Sequence, residues 1–87
     1  GSPWGVQLSA GFSRDHALAN YAMLAKRYAE VLTGRDPSLL SSVFRSRGTS
    51  AFYQVRVGAD TRQAAEGLCG SIRRAGGACF VLRNRAS

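Results

Sequence analysis

Gln7, Phe52, Gln54, Arg56 and Phe80 carry the groups best suited to holding a ligand. Carboxamides and a guanidinium donate and accept hydrogen bonds in fixed directions. Phenylalanine rings offer flat apolar faces. Together they suit a sugar, with its ring faces and hydroxyls, and equally a nucleobase. Catalysis is poorly provided for. His16 is the sole histidine and falls in the first turn of a helical stretch. The acids Asp15, Glu30, Asp36, Asp60 and Glu66 fall at caps, a turn and exposed helix positions, so no carboxylate pair for glycoside hydrolysis is implied. Gly76-Gly77 ends a helix, whereas a phosphate cradle needs a helix start. No enzyme, cofactor or metal is expected.

These side chains need a sheet to stand on. In Phe52-Tyr53-Gln54-Val55-Arg56-Val57-Gly58, apolar residues alternate with Phe52, Gln54 and Arg56. A period of two is the mark of a strand with one buried face. Val6-Gln7-Leu8-Ser9 repeats it, with Gln7 and Ser9 outward, and Ala10-Gly11-Phe12 reads as a tight link. Ser13 then caps a helix running to about Leu32, with Ala17, Leu18, Tyr21, Leu24, Ala25, Tyr28 and Leu32 as its apolar stripe. Thr33-Gly34 and Asp36-Pro37 end it.

Leu39 to Ser42 either opens the second strand or closes the loop, and Val43 to Arg47 is read as that strand. Gly48-Thr49-Ser50 reads as a hairpin turn into a third strand, Ala51 to Val57. Asp60 and Gln63 resemble a capping box. Ala64, Ala65, Leu68, Ile72 and Ala75 form the second stripe, and Gly76-Gly77 closes that helix. Ala78 to Arg83 is the last strand. The expected fold is α+β: β-α-β-β-α-β, ferredoxin-like or RNP-like, a four-stranded antiparallel sheet with two helices on one face. Its other face is bare and carries Gln7, Gln54, Arg56 and Phe80.

The 87 residues make one domain: residues 1–3 read as a tag scar and lead-in, 4–84 as the domain, 85–87 as a tail. No apolar run approaches the roughly 20 residues of a membrane span. Twelve basic residues, eleven of them Arg, against five acids give +7. That balance favours polyanions: nucleic acid, anionic lipid or an acidic glycan. Cys69 lies at the edge of the second stripe and Cys79 shares the parity of Val81, so the two can meet between helix and strand. They form a disulfide in an oxidising compartment, or else pack as two buried thiols.

Trp4-Gly5-Val6-Gln7-Leu8 with Phe12, then Tyr53 to Gly58, then Leu68-Cys69 ahead of Gly76-Gly77-Ala78-Cys79-Phe80-Val81, resemble the SPOR domain. The resemblance covers Trp4 to Asn84. It implies the sheet just described and a ligand, the denuded glycan strands left when amidases strip stem peptides from peptidoglycan. Such strands collect at the division septum, so the resemblance implies a periplasmic, envelope-located, monomeric targeting module. Family contacts carry over to Gln7, to Ser9 or Ala10, to Phe12, and to Phe52, Gln54, Arg56 and Phe80. Arg56 can pair with a muramic carboxylate, and exclusion of stem peptides is expected to be steric. Two departures stand out. Ser9-Ala10-Gly11-Phe12 is one residue longer than the family's Gly-Ser-Phe. Ala59-Asp60 replaces a longer link before the second helix. An RNA-binding module of RRM type shares the strand order, but Arg47-Gly48 is followed by Thr49-Ser50-Ala51, without the aromatics that type carries. A third alternative is a protein-interaction domain that has lost glycan binding.

Overall fold

The computed structural model describes residues 2–43 and 51–84. The elements are β1 (Trp4–Gly11), α1 (Arg14–Arg27), α2 (Ala29–Leu32), β2 (Pro37–Val43), β3 (Ala51–Ala59), α3 (Arg62–Arg74) and β4 (Phe80–Arg83). The strands form one antiparallel sheet in the order β2-β3-β1-β4. The α+β architecture expected from the alternating strands is the one observed. The hairpin turn at 48–50 and residues 44–47 lie outside the described residues.

The core lies between sheet and helices. Val6, Val55 and Val57 are fully buried on the sheet side and meet Ala17, Tyr21, Ala65, Leu68 and Ile72 from the helices. Fully burying each large aliphatic side chain contributes about 1.5–3 kcal/mol. Cys69 and Cys79 are also fully enclosed and form a disulfide, with Cα atoms 5.5 Å apart. It ties α3 to the segment leading into β4.

Several local expectations are corrected. The first helix breaks at Tyr28, whose φ of −112° and ψ of 40° leave the helical region. Its ring packs over Gly77, where a Cβ would lie 2.9 Å from Tyr28 Oη and 2.7 Å from Ile72 Cγ2. The N-cap of α3 is Thr61, not Asp60: the Thr61 hydroxyl accepts from Ala64 N at 3.0 Å. Ala64 and Ala75 are exposed, and Cys69 takes the centre of the stripe. At its other end α3 closes in a Schellman turn. Gly77 N donates to Ile72 O and Gly76 N to Arg73 O, with Gly76 at φ +92°. β4 starts at Phe80, not Ala78, because Cys79 is held by the disulfide and by Arg73, which donates to its carbonyl at 2.7 Å. β2 starts at Pro37; as an edge strand exposed along its whole length, it shows little of the hydrophobic alternation that marks a half-buried strand.

Candidate glycan-binding face

The strand register decides which side chains share the open face. Gln7 pairs with Arg56 on one side and Phe80 on the other, and Ala10 pairs with Gln54. Between Gln7 and Ser9 the register slips by one residue, a β-bulge at Leu8. The extra residue inverts the parity of Ser9 and the positions after it.

Ser9 therefore turns inward, against its expected outward position. It is 5% exposed; its hydroxyl donates to Ala17 O at 2.9 Å and accepts from Asn20 Nδ2 at 3.2 Å. The bulge leaves Ala10 outward, paired with Gln54. Ala10 and Gly11 belong to β1 and are not a link. Beyond the strand, Phe12 meets Phe52 edge to face, ring centres 5.1 Å apart. Phe80 is 61% exposed and stands outward from β4.

The centre of the face is a network of amides around one cation. Gln54 Nε2 donates to Gln7 Oε1 at 2.9 Å. Arg56 donates from Nε to Gln7 Oε1 at 3.3 Å and from Nη2 to Gln54 Oε1 at 3.3 Å. Its Nη1 donates to Asn84 Oδ1 at 3.1 Å, while Asn84 Nδ2 donates to Ser2 O at 3.0 Å. Gly5 leaves room for this: a Cβ there would lie 2.7 Å from Asn84 Oδ1 and 3.1 Å from Arg56 Cδ. Beside the network lies a basin of about 530 Å³ bounded by Leu40, Ser42, Arg83 and Asn84. A smaller hollow of about 100 Å³ lies between Ala10, Ala78 and Phe80.

The face is electrostatically one-sided. Of the five acids in the sequence, none stands on a strand: Asp15, Glu30 and Glu66 are helical, and Asp36 and Asp60 lie in connections. Burial pulls the Arg56 guanidinium below its ordinary value. Among the described residues no cluster of His, Cys, Asp and Glu could hold a metal, and His16 lies exposed in the first turn of α1.

Sequence reasoning brings Gln7, Gln54, Arg56 and Phe80 correctly to one face and misses Asn84, Leu40 and Ser42. Counting by twos from Phe80 reaches Leu82 and Asn84, so the outward position of Asn84 is available in the parity. Leu40 and Ser42 give no such signal, since β2 buries neither face.

An open sheet with amides, a guanidinium and exposed aromatics is the architecture of a binding module for an extended ligand. The family model described as SPOR domain matches residues 1–83, and the chain belongs to that family. SPOR domains are non-catalytic peptidoglycan-binding modules of the bacterial cell envelope. The disulfide accords with an oxidising compartment. Among the described residues no helix is long and apolar enough to cross a membrane. No curated protein and no solved structure matches the chain.

Proposed function

We propose that this domain binds glycan strands stripped of their stem peptides, along the outer face of the sheet, as a periplasmic monomer. In that role it brings its parent protein to the division septum. The observation that carries the reading is the network of Gln7, Gln54, Arg56 and Asn84, free of acids and flanked by Phe80 and the Phe12–Phe52 pair. Carboxamides match N-acetyl and hydroxyl groups, and the aromatic rings take the apolar faces of the sugars. Ala10 leaves the surface beside Gln54 low enough for a sugar to lie close, and Ser9 serves the fold beneath it.

Sedimentation with purified sacculi tests this. Amidase-treated sacculi should retain the domain at least about tenfold better than intact ones, a difference near 1.4 kcal/mol. Equal retention by the two would overturn the preference for denuded glycan. Retention by RNA in place of sacculi would turn the reading to nucleic acid.

A further inference from the structure

Arg56 is a cation with no anionic partner among the described residues. Its three bonds go to neutral amide oxygens of Gln7, Gln54 and Asn84, on β1, on β3 and just beyond β4. Among the described residues the two ion pairs, Arg14–Asp15 and Arg62–Glu66, leave it out. A partly desolvated guanidinium is ordinarily matched by a carboxylate. The amides instead fix the plane of the group while leaving its charge uncompensated. Three of its five N–H groups are used in these bonds, and one on each terminal nitrogen has no partner among the described residues.

The ligand offers one matching group. In intact peptidoglycan the lactyl carboxyl of muramic acid is tied up as the amide of the stem peptide and is neutral. Amidase hydrolysis frees it as a carboxylate. We infer that Arg56, held by Gln7, Gln54 and Asn84, binds that lactyl carboxylate, so that the domain recognises denuded glycan by charge and not only by the absence of bulk. This rests on the glycan-binding reading above. Asn84 is a positioning residue here: it links Arg56 to the Ser2 carbonyl across the space left by Gly5. A charged hydrogen bond is roughly twice as strong as a neutral one, so the free acid should bind about tenfold tighter or better than a neutral counterpart.

The probe is a denuded oligosaccharide of defined length and its methylamide, in which each lactyl carboxyl is neutral but carries only one added methylamino group. Affinities for both are measured by calorimetry with the parent domain, Arg56→Gln and Asn84→Asp, each checked for an unchanged fold by its melting profile. The parent should prefer the free acid by about tenfold or more, with the preference falling as salt is raised. Arg56→Gln should bind both forms equally. Asn84→Asp, which sets an internal carboxylate against Arg56, should also lose the preference, and it keeps the test valid if Arg56→Gln does not fold. Equal binding of acid and methylamide by the parent would overturn the inference and leave glycan binding standing. Full preference surviving in the variants would remove Arg56 from the role. Binding of neither form would overturn the glycan reading itself.

Discussion

Gln54 Nε2 donates to Gln7 Oε1 at 2.9 Å, from β3 to β1, although 47 residues separate them in the chain. The same oxygen accepts Arg56 Nε at 3.3 Å. One carboxamide on β1 thus sets the orientation of two polar groups on β3. The bulge at Leu8 comes directly after Gln7, so the strand delivers this side chain outward and then changes phase.

Gln7→Ala removes the shared acceptor and leaves Gln54 and Arg56 without their common guide. Glycan affinity should fall about fivefold to tenfold. Because Gln7 is only half-buried and its partners stay in reach of water, stability should change by no more than about 0.5–1 kcal/mol. Titration calorimetry and a thermal melt on one preparation check both halves.

Ser9→Ala should do the reverse. Its hydroxyl is buried between Ala17 O and Asn20, so its loss should cost about 1 kcal/mol of stability, or about 4–8 °C in melting temperature. Sacculus binding should be unchanged. A loss of binding at unchanged melting temperature would return Ser9 to the glycan face.

These two neighbours show what can be read from the sequence. Alternation in 52–58 is legible because Tyr53, Val55 and Val57 contrast in polarity with Phe52, Gln54 and Arg56. Alternation from Val6 onward gives the right answer through Gln7 and the wrong one at Ser9. A bulge shifts phase by one residue and leaves no polarity signature of its own. The bulge places one extra residue of β1, Leu8, between the pairs Gln7–Arg56 and Ser9–Val55. The break at Tyr28 is equally invisible in the helical spacing, because it depends on Gly77, far along the chain, offering bare backbone to the ring. Asn84 is missed for a simpler reason: a strand ended at Arg83 stops the parity one residue short of it.

Replacing both Cys69 and Cys79 with Ala opens a loop of 10 residues' separation. Stability should drop by about 2–3 kcal/mol in the chain-entropy account, read as a lower urea midpoint. Phe80 follows Cys79 directly and pairs with Gln7, so glycan affinity should fall as well.

Tyr21 gives a pH dependence. Burial first, and the charge of Asp36 second, raise its phenol above the ordinary 10.0. The folded state therefore holds the proton more tightly than the unfolded chain. The resulting stability is fully present below pH 10.0 and is lost as pH rises through the folded value. Urea midpoints between pH 9 and 11, set beside those of Tyr21→Phe, should show the parent losing stability more steeply.

The most direct measurement of where the ligand lies is nuclear magnetic resonance of the labelled domain titrated with a denuded oligosaccharide. The side-chain amides of Gln7, Gln54 and Asn84, the Arg56 Nε and the backbone amides of Phe52 and Phe80 should shift together and saturate at one affinity. If those resonances stay fixed while signals from α1 and α3 move, the outer sheet face is not the glycan site.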